Sequence, residues 1–336
     1  MRFTTLRILA AALGIIAAVG WTPAMAQDAK PQNLKFASFN IGGSWYIYAQ
    51  VISKLSEKVL PQGSTMEVLP YQGGNGNPIL VHRGEADLGL TFSAVSNWAY
   101  NKKVSFDQSY TNIRGLVGGL GSPYRLTIMT RPGLGIESLG EIKAQKKKVD
   151  IVTVQIGGSG ESLTSMALES YGMTYDDIKS WGGTVSHLDL AVAIERLRNG
   201  QVDMLIHNVG FRQPNFVELD QSTDLKFIGL GEEQMKSLVE KYGLEADLSI
   251  KAGEFRGVKQ DIPSVGYTTV IIVSKDVPEE TAYTITKAIC ENQPALEAAH
   301  ASLKDFDPAK AYLPGKNGNI PLHPGAIRYY KEKGLM

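Results

Sequence analysis

Two short runs hold the residue types from which a site could be built. Gly42-Gly43-Ser44 follows a strand-like stretch, Phe36-Ala37-Ser38-Phe39, and leads into an amphipathic helical stretch. Gly157-Gly158-Ser159 follows a second strand-like stretch, Val149 to Ile156, and leads into another. Glycines ahead of a helix leave its first amide N–H groups open, and with the positive end of the helix dipole these favour an anion. In open α/β sheets, ligands gather beyond the carboxyl ends of strands, where such loops lie. Ser44, Asn75, Asn77, Ser159 and Ser162 are helix-capping types near these starts, and Pro78 suits a first helical position. Capping explains each one singly. Ligand binding explains all five, if loops from two lobes face one cleft.

Catalytic chemistry is the competing use of these residues. Gly157-Gly158-Ser159-Gly160-Glu161 approaches the hydrolase nucleophile elbow, but Glu161 stands where the last glycine belongs. No Lys follows the glycines as a phosphate-binding loop requires, and Gly74-Asn75-Gly76 lacks the third glycine of a dinucleotide fingerprint. Histidines at 82, 187, 207, 300 and 323 show no metal-ligand spacing. A secreted hydrolase would need Ser159, His187 and an Asp as a triad, which is a matter of geometry and not of spacing. Cys290, the only cysteine, shares a helical face with Ala282, Ile285 and Ile289 and reads as a buried, inert thiol. These readings favour a binding protein over an enzyme, with no metal and no cofactor. Arg125, Arg131 and Arg212 are the arginines near the expected loops that could grip a carboxylate.

The elements that position these loops repeat. Ile47, Tyr48, Val51, Ile52, Leu55 and Val59 form one apolar stripe of the first helix. A short helix from Ile79 to Arg83 stops at Gly84 and a strand restarts over Asp87 to Thr91. A helix from Leu188 to Arg198 stops at Gly200 and a strand restarts over Val202 to Ile206. Gly42/Gly157, Gly84/Gly200 and Asp87/Asp203 recur at nearly constant offset, and Gly73-Gly74 is matched to Gly182-Gly183. The pattern predicts two lobes of similar β-α-β plan, too widely spaced for a solenoid. Tyr124 to Thr130 and Val265 to Val273 are β-rich and bracket the second copy. If both cross between lobes, residues 27–126 and 269–336 form a discontinuous lobe I, residues 127–268 form lobe II, and the crossing strands form a hinge.

Length and charge agree. A chain of 336 residues supplies about two cores. With 34 Lys+Arg against 34 Asp+Glu it lacks the net basic face of a nucleic-acid binder, and Lys146-Lys147-Lys148 reads as a solvated turn. Residues 1–26 have the form of a cleavable signal peptide: Arg2 and Arg7, an apolar run from Ile8 to Val19, then Ala24-Met25-Ala26. The run is too short for a comfortable membrane span of ~20 apolar residues. The expected location is the periplasm.

Gly42-Gly43-Ser44-Trp45-Tyr46, Arg83-Gly84-Glu85-Ala86-Asp87-Leu88-Gly89, Gly158-Ser159-Gly160 and Pro321-Leu322-His323-Pro324-Gly325-Ala326-Ile327-Arg328-Tyr329-Tyr330 together resemble the TAXI group. These are solute-binding receptors of TRAP (tripartite ATP-independent periplasmic) transporters. The resemblance runs over nearly the whole chain after residue 26, and the His-Pro-Gly-Ala-x-x-Tyr-Tyr stretch is its most specific signal. It implies a type II periplasmic-binding-protein fold: two α/β lobes joined by a hinge of crossing strands, with the ligand cleft between them. It implies capture of a small organic carboxylate of the glutamate or 2-oxoglutarate class, or an amino acid, for delivery to the membrane components of a TRAP transporter. The ligand loops it implies are Gly43-Ser44-Trp45-Tyr46, Gly74-Asn75, the segment at Ser93, Ser159-Gly160-Glu161-Ser162, and a wall at His207 and Asn208 near Gly210. Trp45 is larger than the Tyr usual in the group and favours a longer or flatter solute. Glu161 replaces a usual Thr, Ala94 a common Asp, and the middle loop is altered to Gly73-Gly74-Asn75-Gly76-Asn77-Pro78. A receptor that presents its ligand to a membrane sensor kinase has the same sequence expectation.

Overall fold

The computed structural model describes residues 30–71 and 73–336, and the expected signal peptide lies outside them. The chain first lays down β1 (Asn33–Ala37), α1 (Ser44–Glu57), β2 (Thr65–Leu69), α2 (Gly76–Arg83), β3 (Leu88–Phe92), α3 (Ser93–Tyr100) and β4 (Ile113–Val117). It continues through β5 (Tyr124–Thr130), α4 (Leu139–Gln145), β6 (Asp150–Val154), α5 (Ser159–Ser170), α6 (Tyr175–Ser180), β7 (Thr184–Leu188), α7 (Leu190–Arg198) and β8 (Met204–Val209). Then come α8 (Pro214–Ser222), β9 (Lys226–Ile228), α9 (Glu232–Tyr242), β10 (Glu245–Ile250), β11 (Ile262–Tyr267), β12 (Thr269–Ser274), α10 (Glu279–Cys290), α11 (Gln293–Ala299) and α12 (Pro324–Glu332).

These strands build two sheets, one to each lobe. The first has the order β2-β1-β3-β12-β4, the second β10-β11-β5-β8-β6-β7 with β9 also on β5. In each, the β-α-β units pair in parallel, β1 with β2 and β3, β6 with β7 and β8. The returning strand β12 lies antiparallel between β3 and β4, and every one of its residues is buried. β5 belongs wholly to the second sheet from Tyr124 onward, so a boundary at residue 126/127 falls inside a strand. The chain passes between sheets twice, over residues 118–123 and at Thr268 alone. Thr268 is tied on both sides: its N–H donates to Glu245 Oε1 (2.9 Å), and its carbonyl accepts from Ser93 N–H (3.0 Å).

The duplicated residues have duplicated tasks. Asp87 accepts the Lys35 N–H on its carboxylate (2.8 Å) and donates its own N–H to the Lys35 carbonyl (2.9 Å). Asp203 does the same to Asp150, at 2.9 and 2.8 Å. Each aspartate thus pins the start of its lobe's central parallel strand, a position where apolar residues alone would leave register loose. Gly84 and Gly200 close α2 and α7 with φ of +73° and +69°.

Three sequence expectations change here. Gly182-Gly183 precedes β7, at the strand's amino end, whereas Gly73-Gly74 follows β2 at its carboxyl end, so the two pairs are not counterparts. Val59 is 55% exposed because α1 ends at Glu57, while Tyr48, Ile52 and Leu55 are buried as the stripe predicts. The five cap-type residues make no helix-capping hydrogen bonds from their side chains. Ser44 and Ser159 open their helices one position inside glycine N-caps. Asn77 Nδ2 instead donates to the carbonyls of Ala37, Ser38 and Leu90 (3.2, 2.9 and 2.7 Å), joining β1 to β3.

The His-Pro-Gly-Ala stretch is structural. His323 caps α12 by accepting from Gly325 N–H (3.2 Å), and a Cβ on Gly325 would stand 2.3 Å from the Glu279 carbonyl. That glycine lets α12 lie against α10. Cys290 lies in the same contact, and burial pushes its thiol up to about 12, as an inert thiol requires. No described helix is long and apolar enough to cross a membrane.

Candidate functional site

The carboxyl ends of β1, β3, β6 and β8 meet at a cavity between the lobes. Phe39, Ser44, Trp45, Gly74 and Phe92 line it from the first sheet's side, and Tyr124, Val154, Gly158, Ser159, Gly160, His207, Asn208 and Gln213 from the second's. Its volume is about 30 Å³, room for water-sized occupants and not for an organic acid. The lobes are shut upon it: a Cβ on Gly74 would lie 2.5 Å from the Ser159 Cβ. Asn75 Nδ2 donates across the gap to Ser162 Oγ (2.9 Å), and within the second lobe the Tyr267 hydroxyl fixes the Ser159 carbonyl (3.4 Å). A solute of several heavy atoms reaches the cavity only by separating the cross-lobe contacts, a motion that the two crossings permit.

Two helix N-termini point into the cavity from opposite lobes. In each, the residue before the serine is an extended glycine N-cap (φ −83° at Gly43 and at Gly158). The glycine before that has positive φ, +88° at Gly42 and +89° at Gly157, which an L side chain rarely adopts. The turns close alike, Gly43 N–H onto the Asn40 carbonyl and Gly158 N–H onto the Gln155 carbonyl, both at 3.0 Å. Since a glycine cap offers no side-chain acceptor, the opening N–H groups of α1 and α5 have no capping side chain, and of these only Tyr46 N–H is turned back onto the chain, to the Gly43 carbonyl (3.1 Å).

Polar side chains complete it sparingly. Ser44 Oγ is buried without a hydrogen-bond partner of good geometry, although the Tyr124 hydroxyl lies beside it. Ser159 Oγ donates to Asn208 Oδ1 at 3.4 Å. His207 is 4% exposed, its Nδ1 has no partner, and burial pushes its imidazole down to about 3, so it is neutral in ordinary buffers. The remaining walls are aromatic. Trp45 and Phe92 rings meet at 4.4 Å, Phe92 and Tyr124 at 5.1 Å, and Trp45 Nε1 is anchored on Thr269 Oγ1 (3.1 Å).

Of the residues expected from sequence, Ser44, Trp45, Gly74, Ser159, Gly160, His207 and Asn208 line the cavity. Gly43, Tyr46, Asn75, Ser93, Glu161 and Ser162 do not. Gly43 is the cap behind the wall, and half-buried Tyr46 turns aside one residue after Trp45. Asn75 and Ser162 form the cross-lobe hydrogen bond. Ser93 opens α3, and its carbonyl packs against the turn at Gly318. Glu161 accepts the Tyr175 hydroxyl on its carboxylate (3.1 Å), away from the cavity. Phe39, Phe92, Tyr124, Val154 and Gln213 were not expected.

Neither arginine grip nor triad forms. Arg125 engages both terminal nitrogens on Glu254 (2.7 and 2.6 Å) in a buried ion pair, and Arg131 donates to the Leu197 and Arg198 carbonyls that end α7. Arg212 lies exposed. Ser159 turns its hydroxyl to Asn208, while His187 packs its ring on Tyr175 (5.5 Å between centroids). No cluster of three metal-binding side chains occurs among the described residues.

The sequence profile of the NMT1-like family matches residues 36–334. Among solved structures, MatC from Rhodopseudomonas palustris with bound malate aligns with TM-score 0.55 and 13% identity, over 91% of this chain and 99% of that one. The periplasmic binding protein BugD aligns with TM-score 0.52 and 16% identity, over 91% and 98%. At such identities the likeness is one of fold: two α/β lobes of the periplasmic-binding-protein type.

Proposed function

This chain belongs to the NMT1-like family, and on that premise we propose that it is a periplasmic solute-binding receptor. It captures a small organic carboxylate between its lobes and delivers it to the membrane components of a TRAP-type transporter, as its TAXI-like motifs suggest. The observation that carries the reading is the cavity shared by two uncapped helix N-termini, one from each lobe. An anion placed there takes N–H donors from both α1 and α5, so it binds the shut form more tightly than the open one and shifts the population toward closure. MatC, of the same fold, holds malate. The lobes meet along the crossings at 118–123 and 268, and closure about them presents the joined lobe surface to the transporter.

The test is a thermal-shift screen of the purified protein, refolded after mild unfolding to release retained solute, against organic acids and non-ionic solutes. Acid at a hundred times its Kd adds ~2.7 kcal/mol and raises the melting point by several degrees. Stabilisation by organic anions, recovered unchanged, is the expected result. Stabilisation by sugars or cations alone, or conversion of the acid, contradicts the reading.

A further inference from the structure

The charges around the cavity narrow the solute. Among the described residues no Lys, Arg, Asp or Glu lines it, and its one histidine is neutral. Of the charged groups beside the lining in sequence, Arg125 is paired with Glu254 and Glu161 with Tyr175, while Arg212, next to Gln213, is exposed, as is Asp189 in the adjoining pocket; neither lines the cavity. A single anionic group can be held by the facing N-termini of α1 and α5, with the unpartnered Ser44 hydroxyl, on a residue only 2% exposed, beside them. A second carboxylate would have to leave water for walls of Phe39, Trp45, Phe92 and Tyr124 and the neutral side chains of His207, Asn208 and Gln213, with no cation in the lining to meet it. An ammonium would meet no carboxylate. Either is a buried unpaired charge, the costliest group to place in an apolar wall.

Resting on the carboxylate-receptor reading above, we infer that the solute is a monocarboxylate with an apolar, flat body, and neither a dicarboxylate nor an amino acid. Its carboxylate lies between the two serine-led helix starts, and its body replaces the aromatic contacts of Trp45, Phe92 and Tyr124 across the opened lobes. Offset or edge-on aromatic packing, as these rings already make with one another, favours an aryl body.

Calorimetric titration of the purified, refolded protein decides it, with benzoate, phenylacetate and hexanoate set against malate, 2-oxoglutarate and glutamate. Phenylacetamide serves as the uncharged control. The expected result is that an apolar monocarboxylate binds at least 100-fold more tightly than any dicarboxylate or amino acid, and at least 10-fold more tightly than the amide. Tightest binding of malate, 2-oxoglutarate or glutamate overturns the inference and leaves the carboxylate-receptor reading standing. Equal binding of acid and amide, or binding of none of the six acids, overturns both.

Discussion

The loops at Ile41–Ser44 and Ile156–Ser159 have the same four residues, Ile-Gly-Gly-Ser, and nearly the same shape, yet they bring different material to the cavity. Backbone angles, turn hydrogen bonds and even the outward isoleucines, 72% and 74% exposed, agree. The next residue separates them. After Ser44 comes Trp45, which is 4% exposed and fills the first lobe's side with an indole packed on Phe92 and Tyr124. After Ser159 comes Gly160, whose missing side chain makes room: a Cβ there would stand 2.1 Å from His207 Nδ1. The shared residues build two anion-directed helix starts. The residue that follows decides that one lobe supplies apolar bulk and the other admits the polar edge of β8, His207 and Asn208.

That division of labour can be broken from either side. Trp45→Ala removes the buried indole and costs ~3–5 kcal/mol of stability, the range for emptying an aromatic core site, read as a lowered denaturant midpoint. Gly160→Ala pushes His207 out of place and costs ~1–3 kcal/mol as overpacking, with solute affinity lowered by more than stability explains. Unaltered affinity in that variant would separate the His207 edge from the site.

His207 gives a pH signature. Its folded value, about 3, lies below its ordinary 6.5, so the unfolded chain takes up the proton first. Its contribution is full above about pH 6.5 and is lost as pH falls toward 3, at ~1.4 kcal/mol per pH unit while the difference of one proton lasts. His300 and His323 are also lowered by burial, so the comparison is with His207→Gln, which should be flatter over this window. Equal slopes in the two proteins would contradict a buried neutral imidazole. Smaller still is Asn75→Ala, which deletes the cross-lobe hydrogen bond to Ser162. It should lower stability by ~1 kcal/mol and shift scattering profiles toward the open form. Smallest is Ser44→Ala, neutral for stability because its hydroxyl has no partner of good geometry, yet several-fold weaker for the solute.

What the sequence disclosed follows from range. The α1 stripe, the Gly84/Gly200 stops and the Asp87/Asp203 pair are local signals, and the structure places each pair in matching positions. The aromatic wall was hidden because Phe92 and Tyr124 sit on strands buried along their whole length, where a residue facing the cavity has the same pattern as one facing the core. Arg125 drew notice as a carboxylate grip because its partner, Glu254, is brought to it only by folding. Gly182-Gly183 misled because matching glycines takes no account of which end of a strand they adjoin. Asn75 and Ser162 were singled out as cap types, and their pairing with each other needed the lobes to be shut.

The central claim is that both Gly-Gly-Ser helix starts hold one solute together. Amide hydrogen exchange at Ser44–Tyr46 and at Ser159–Glu161, with and without the tightest-binding acid of the panel, tests it most directly. The account predicts that saturating acid slows exchange at both segments in parallel. Slowing at one segment alone, or at neither, would contradict it.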